Sequence, residues 1–386
     1  MATANALSFE QTHAFVDHIF GADLHAKRVL SLSNATVGVM RASSLAIHAI
    51  GEGLAHAGQG RRKHGIKQVD RLLSNPGIKV WDLLSWWVAY VVGKRTEILV
   101  ALDWTEFDAD GHSTIMLSLV TGHGRATPLV WKTVEKSELS GQRNVFEDQV
   151  LFRLHEALPA GVKRVTVMAD RGFGDHKLYK VLSQELGFGY IIRFKANIEV
   201  TSAEGEVRAA GDWVPGNGRI KVLRGARVTE KGYEVGAVVC VKKRGMKEAW
   251  CLAVSDPEVK GAVAVNRYAK RWGIETSFRD IKDDKFGMGM AHMHTKSGER
   301  RDRLFLVSAL AIALLTLLGA AGDAVGLERT IKANTTKTRS YSFWRQGCIY
   351  YKLLPGMRES EAGPLIAKFY ELMREHAVFR AVFGVI

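Results

Sequence analysis

The sequence predicts an α/β protein whose mixed-sheet core carries a β-rich insertion and is flanked by helical N- and C-terminal regions. Three observations lead to this fold class. Residues 1–80 repeat apolar side chains at three- and four-residue spacing, which is typical of short helices. Three strand-like runs then follow one another, after which helix and strand alternate. Alternating runs separated by glycine-containing turns dominate residues 196–256.

The elements of the predicted core follow in order along the chain. An apolar helix begins at Trp81, after a Ser-Asn-Pro-Gly stop at residues 74–77. Strands are predicted at Glu97–Phe107, Thr114–Gly122, Ala126–Glu135, Arg164–Asp170 and Tyr190–Lys195. Helices are predicted near Arg143–Leu158 and from Asp175 to Leu186, where Gly187 ends the second one, and helix resumes at Pro257.

The net charge points to a polyanionic partner. The 386 residues carry a formal net charge of +14, and an excess of this size is evidence about partners rather than about fold. Residues 219–249, in the predicted insertion, hold nine basic residues against three acidic ones. Nucleic acid is favoured over a membrane surface, because the chain shows neither a separate basic amphipathic segment nor a lipidation motif.

Three features bear on the cellular compartment. None of the three cysteines lies in a CxxC pair, which favours reduced structural thiols in a cytosolic protein. The first residues lack the basic and apolar regions of a signal peptide, so none is expected. Leu304–Ala321 is long and apolar enough to raise the question of a membrane span. Because this segment is isolated in the chain, we expect a buried core helix.

Three acidic residues are candidates for catalysis. Asp103 and Asp170 close the apolar runs "EILVALD" and "RVTVMAD", and Glu275 lies in the helix-like segment Tyr268–Lys282. A carboxylate that ends a buried strand is costly unless something pairs with it. Three carboxylates on separate elements therefore suggest a site for divalent cations, which prefer oxygen ligands. Phosphodiester chemistry commonly uses two such ions, about 4 Å apart.

The predicted helix around Glu275 has a distinctive polar face. Its polar residues recur at offsets 0, 3, 7, 11 and 14, which places them within about 80° on one helix face: Tyr268, Arg271, Glu275, Arg279 and Lys282. Alone, this face is more typical of a solvated helix with ion pairs such as Arg271–Glu275. Together with the two strand-borne aspartates, it suggests that the basic residues bind phosphates beside a catalytic carboxylate.

The pattern Tyr268-x2-Arg271-x3-Glu275-x6-Lys282 resembles the YREK signature of the insertion-sequence-four family of DDE transposases. The segments "LDWTEFD" and "MADRGFGD", around Asp103 and Asp170, are similar to the first two acidic motifs of that family. The resemblance covers residues 97–285. It implies an RNase H-like catalytic core that is interrupted after its fifth strand by a β-rich insertion, the place where the pattern of runs changes in this chain.

The resemblance also implies roles for individual residues. Asp103, Asp170 and Glu275 would be catalytic and would bind Mg²⁺, with Mn²⁺ as a substitute. Tyr268, Arg271 and Lys282 would hold DNA beside the cleaved bond. Trp250 is similar to the family's tryptophan that stacks on a flipped base, but its place in "EAWCLAV" is equally typical of a packed strand residue.

The expected function is that of a cut-and-paste DNA transposase. It would cleave the inverted repeats at the transposon ends and join the 3′-hydroxyl groups to target DNA. A homodimer would hold the two ends in a synaptic complex, in the cytoplasm of a bacterium and in contact with the nucleoid. Two alternatives stay open: an RNase H-like metal-dependent nuclease without joining activity, and a domesticated, non-catalytic DNA-binding protein.

With this resemblance, the chain divides into five predicted regions. They are a helical N-terminal DNA-binding region (1–90), the first part of the RNase H-like core (91–195), the β-rich insertion (196–256), the catalytic helix with the helix that follows it (257–320), and a helical C-terminal region (321–386).

Overall fold

The computed structural model describes residues 9–58 and 60–374, and it confirms the mixed α/β class. Five helices come first: α1 (Phe9–Phe20), α2 (Ala26–Ala42), α3 (Ile47–Gly58), α4 (Arg62–Leu73) and α5 (Val80–Val92). The division into five regions stays a prediction, and its outermost parts, 1–8 and 375–386, lie outside the described residues.

The first five strands form one continuous sheet. Their bounds are β1 (Glu97–Phe107), β2 (His112–Val120), β3 (Ala126–Glu135), β4 (Arg164–Ala169) and β5 (Gly189–Phe194), with α6 (Arg143–Ala157) and α7 (His176–Lys180) between the later strands. The spatial order is β3-β2-β1-β4-β5. β1, β2 and β3 pair antiparallel, whereas β4 and β5 run parallel to β1. This arrangement is compatible with an RNase H-like core.

Residues 196–256 contribute strands to two sheets. The seven strands are β6 (Glu199–Thr201), β7 (Val207–Ala209), β8 (Ile220–Arg224), β9 (Arg227–Val228), β10 (Tyr233–Glu234), β11 (Ala237–Val241) and β12 (Trp250–Val254). β12, β11 and β8 extend the main sheet beyond β5, giving eight strands. The other four form a small sheet in the order β10-β9-β6-β7. The β-rich segment is therefore joined to the core by backbone hydrogen bonds as well as by chain continuity.

A proline lies within the edge strand β3. Ser118 pairs with Pro128 while Leu117 pairs with Val130, so Leu129 is an extra, bulged residue. Proline lacks a backbone N–H and is tolerated at edges and bulges for that reason. The Pro128 carbonyl accepts a hydrogen bond of 2.7 Å from Trp87 Nε1, which attaches α5 to this edge of the sheet.

The single helix predicted over Tyr268–Lys282 is wrong, because the structure has two helices there, α8 (Gly261–Ala269) and α9 (Trp272–Lys282). Hydrogen bonds between them span three residues instead of four, from Arg271 N to Tyr268 O and from Gly273 N to Lys270 O, both 3.0 Å. At Gly273 an added Cβ would lie 3.3 Å from the Arg125 carbonyl carbon, so α9 packs closely against the start of β3.

The long helix α10 (Gly298–Ala324) is a core helix of this fold. It is long and apolar enough to cross a membrane, but 94% of its apolar window is buried inside the protein. It packs against α2, β3, α11 (Phe343–Leu353) and α12 (Glu359–Arg374). Burial on all sides explains why its apolar residues are not confined to one stripe.

Three arginines in the first turns of α10 attach it to other parts of the chain. Arg300 pairs with Asp70 of α4 at 2.8 Å, and Arg301 pairs with Asp110 in the β1–β2 turn. Arg303 donates to the backbone carbonyls of Ile78 (2.9 Å) and Leu73 (2.8 Å). The N-terminal helices and the main sheet are thus both anchored to one helix.

The crossing of α10 and α11 depends on glycine. A Cβ added at Gly319 would lie 1.8 Å from the Phe343 carbonyl oxygen. A Cβ added at Gly347 would lie 1.8 Å from the Leu315 carbonyl oxygen. Because both neighbours are backbone atoms, the helices would have to move apart to admit any side chain.

Gly347→Ala is therefore expected to lower the free energy of unfolding by roughly 1–3 kcal/mol, the usual cost of overpacking. Gly363→Ala, in α12, is the matched control, because an added Cβ there meets no atom within 4 Å. Alanine favours helix by about 1 kcal/mol over glycine, so the control should not lose stability. Urea unfolding of both variants measures the difference, and equal stability would contradict this account of the crossing.

Candidate active site

The sheet places two of the predicted acidic residues side by side. In the parallel pairing, Leu102 of β1 lies opposite Ala169 of β4. Asp103 and Asp170 are the next residues of these two strands, so they lie at the same end of the pair. Asp103 closes the apolar run but not the strand, which continues to Phe107 as predicted by pairing with β2. It marks the point at which pairing with β4 stops.

Arg271 connects the first and third carboxylates. Its Nη2 atom lies 2.5 Å from Glu275 Oε1, one turn further along the chain. Its Nη1 atom lies 3.4 Å from Asp103 Oδ2. The guanidinium is only 11% exposed, so both contacts are largely shielded from solvent. The turn between α8 and α9 therefore still brings Arg271 and Glu275 together, as the predicted single helix would have done.

Asp170 is the third carboxylate of the acidic group, and its charge acts on Asp103. Its Oδ1 atom accepts a hydrogen bond of 2.7 Å from Gly172 N, which fixes the side chain at the end of β4. Burial raises the pKa of Asp103 to about 6, and the negative charges of Asp170 and Glu275 add to this rise. Arg271 and the Trp104 N–H oppose it. Asp103 therefore interacts with the charges of both other carboxylates in a partly buried space.

The donor set fits a hard divalent cation. Within residues 9–58 and 60–374, no three or more His, Cys, Asp and Glu side chains already stand together as a finished ligand group. The positive charge between Asp103 and Glu275 is supplied by Arg271 instead. Two of the carboxylates raise the pKa of the third, so a bound cation would offset their mutual repulsion, and oxygen donors are those that Mg²⁺ prefers.

The aromatic rings of Tyr268 and Trp250 contact each other beside Arg271. Tyr268 is buried, and its ring meets that of Trp250 edge-on with centroids 4.9 Å apart. The Arg271 guanidinium lies 5.8 Å from the Tyr268 ring centroid. Trp250 is half-buried as the first residue of β12, so it does pack as a strand residue. Its role in DNA stacking stays a prediction.

Lys282 lies at the other end of α9, against the last residues of β1. Its Nζ atom donates to the Glu106 carbonyl (2.6 Å) and to Thr105 Oγ1 (3.1 Å), and lies 4.9 Å from the Phe107 ring centroid. Burial lowers the pKa of this amine. Arg279, on the same helix, is exposed. Arg279 is thus open to a ligand, whereas Lys282 is already held by protein contacts.

The contacts that hold α9 against the start of β3 involve residues that the sequence analysis missed. Ser277 is buried, and its Oγ atom lies 2.9 Å from both the N and the O atom of Ala126, at the start of β3. Asp280 pairs with Arg125, the residue before β3. These contacts fix the position of Glu275, and no sequence motif around Ser277 announces them.

Two further groups beside the acidic residues were also missed. Trp104 donates a hydrogen bond of 2.9 Å from Nε1 to the buried carboxylate of Glu147, whose pKa burial raises. Glu248 bridges Arg171 and Arg193 next to Asp170. The position of Arg171, directly after Asp170, was the only available signal for the second group.

A comparison with protein families matches residues 94–314 to the transposase DDE domain. The match covers more than half of the chain and contains all eight residues singled out by the sequence. This chain belongs to the DDE transposases. The family implies DNA binding and a nuclease or transposase activity, and its members generally use divalent metal ions and are typically soluble cytoplasmic proteins. No curated protein matches the chain in a sequence search.

The packing of α9 against β3 in this transposase can be tested by substituting Ser277. Ser277→Ala leaves the buried Ala126 N–H without its acceptor, which should lower the free energy of unfolding by roughly 1–3 kcal/mol. Ser308→Ala is a matched control, since buried Ser308 donates only within its own helix, to Phe305 O at 2.8 Å. If urea unfolding shows that Ser277→Ala loses no more free energy of unfolding than Ser308→Ala does, this role of Ser277 is contradicted.

Proposed function

We propose that this chain is a cut-and-paste transposase of the insertion-sequence-four kind, with Tyr268, Arg271, Glu275 and Lys282 as its YREK residues. One observation carries the proposal: the guanidinium of Arg271 joins Asp103 to Glu275, while Asp170 is close enough to raise the pKa of Asp103. A dispersed set of carboxylates would not support phosphoryl transfer. This set lies within the matched DDE domain.

Asp103, Asp170 and Glu275 would hold the Mg²⁺ ions, for which Mn²⁺ would substitute. When bound, the metal supplies activation of the attacking oxygen and stabilisation of the leaving oxygen. Arg271 lies between two of these carboxylates, Asp103 and Glu275, and would turn from them to a DNA phosphate. Exposed Arg279 would bind a neighbouring phosphate, and Lys282 would fix the end of β1 beside the DNA.

The reaction would proceed in stages. Water would first cleave one strand at each transposon end. Where a hairpin forms, the freed 3′-hydroxyl would next attack the opposite strand. The 3′-hydroxyl would finally attack target DNA. Trp250 would stack on a flipped base, for which its contact with Tyr268 provides a firm backing. A homodimer would pair the two ends. The protein would act in the bacterial cytoplasm at the nucleoid, with no membrane involved.

The deciding experiment uses DNA that carries the repeats flanking the protein's own gene. We expect Mg²⁺-dependent nicking at the repeat ends, abolished by chelator, and joining of a pre-cut end to a second DNA. Nicking without joined product would favour the nuclease alternative. Binding without any metal-dependent nicking would favour the non-catalytic alternative. Cleavage in chelator would contradict the proposed metal dependence.

Glu275→Gln separates binding from chemistry. The substitution keeps the size of the side chain and removes the negative charge, so DNA binding should persist while cleavage falls at least about 100-fold, beyond the usual effect of residues that only support a metal ligand. Gel-shift and nicking assays on the same DNA measure both properties. The exposed Glu230→Gln has the same charge change and should cleave normally. Normal cleavage by Glu275→Gln would remove this residue from the site.

The N-terminal helices carry a second surface that suits DNA, in keeping with the predicted DNA-binding region 1–90. A groove there is bordered by α2 and α4 and lined mainly by basic and amide side chains: Ser31, His64, Lys67, Gln68, Arg71, Leu72 and Asn75. His64, Lys67 and Arg71 recur at helical spacing along α4. Lys67 and Arg71 are both exposed, so their charges can reach a phosphate backbone.

The double variant Lys67→Gln/Arg71→Gln should therefore weaken binding of end DNA. Loss of two phosphate contacts should also make the slope of log Kd against log salt shallower by about 2. Lys79→Gln/Lys94→Gln is the charge-matched control, because both residues are exposed outside the groove. Fluorescence anisotropy over a salt series measures both effects. Equal slopes for the two double variants would show that the groove does not contact DNA.

A further inference from the structure

A single carboxylate bridges two arginines beside the acidic residues. Glu248 Oε2 lies 3.0 Å from Arg171 Nη1 and 2.7 Å from Arg193 Nη2. Arg171 directly follows Asp170 in the chain. Ile192 of β5 pairs with Ala169 of β4, so Arg193 and Asp170 follow these two residues at matching positions. Both guanidinium groups therefore lie at the end of the sheet where Asp103 and Asp170 are found.

Glu248 belongs to the turn between β11 and β12, residues 242–249. The last pair of these strands is Val241 with Trp250, and Leu252 pairs with Arg193, so the turn projects from the same end of the sheet. Arg193 Nη2 also donates to the Ala249 carbonyl at 3.1 Å, which holds the turn on β5. The turn contains four basic residues and one acidic residue: Lys242, Lys243, Arg244, Lys247 and Glu248.

The contact has the chemistry of a phosphate site. One oxygen anion accepts from two guanidinium groups, an arrangement that arginine offers equally to carboxylate and phosphate. The Glu248 and Arg171 side chains are 54% and 53% exposed, so a ligand can reach them from solvent. The hydrogen bond from Arg193 and the charge of Arg171 lower the pKa of Glu248, which keeps it ionised.

We propose that Arg171 and Arg193 form a binding site for one DNA phosphate next to Asp170, and that Glu248 occupies these arginines until DNA displaces it. This inference rests on the proposed function, since it names a contact for the DNA that the acidic residues would cleave. The pair of Glu248 with Arg171 is exposed and therefore weak, and the Glu248 side chain is open to solvent in both pairs, so a DNA backbone with several phosphates can displace this one carboxylate. Displacement would also free Glu248 from its two arginines, so that the basic turn of residues 242–249 would face the DNA without this competing ion pair.

Glu248→Gln removes the competing charge. In buffer with chelator, where no cleavage occurs, it should bind end DNA about three- to tenfold more tightly than the wild type, in line with loss of one exposed and one partly exposed ion pair. Glu230→Gln, in the β9–β10 turn, changes the net charge equally without touching either arginine, and should gain less than about twofold. Anisotropy titrations over a salt series measure these values.

Arg171→Gln shows whether the gain passes through the arginines. Combined with Glu248→Gln, it should abolish the gain and make the salt slope shallower by about 1, as expected for one lost phosphate contact. Both side chains are half exposed, so equal melting temperatures should confirm normal folding. Equal binding by Glu248→Gln and Glu230→Gln, or a gain that survives Arg171→Gln, would overturn the proposal. Failure of the wild type to bind end DNA would instead overturn the proposed function.

Discussion

The ion-pair bridge from Asp103 through Arg271 to Glu275 is the interaction on which the rest of the site depends. Carboxylates brought together in a partly buried space repel one another, and burial together with the charges of Asp170 and Glu275 raises the pKa of Asp103 to about 6 even though Arg271 lowers it. Arg271 offsets this repulsion by contacting one carboxylate from the sheet and one from α9. The same guanidinium thereby fixes the distance between two elements that are far apart in the sequence.

Much of this arrangement could be predicted from the sequence, for identifiable reasons. β1 to β5 are apolar runs with clear turn signals, and the bounds found differ from those predicted by two residues at most. The spacing around Glu275 is local, so it indicated the contact with Arg271 correctly. The break between α8 and α9 could not be foreseen, because it accompanies the close packing of Gly273 on the backbone of β3.

Other features depend on pairings between distant segments. Alternating runs predicted strands in residues 196–256, but nothing local shows that β12 pairs with β5 while β6 pairs with β9. The bridge formed by Glu248 likewise needs residues 55 and 77 positions away in the chain. Periodicity reports which side of an element is buried, whereas the partner that buries it is fixed only by tertiary structure.

The arginines at the start of α10 have a consequence for how DNA would lie on the protein. Arg300 and Arg303 hold α4 and the segment after it, and Arg301 holds the turn that follows β1, all within four residues of one helix. A DNA duplex bound by α4 as proposed would therefore meet the three proposed catalytic carboxylates at a fixed distance. Because α10 holds both parts, the site of cleavage would lie at a constant number of base pairs from the DNA sequence that α4 binds.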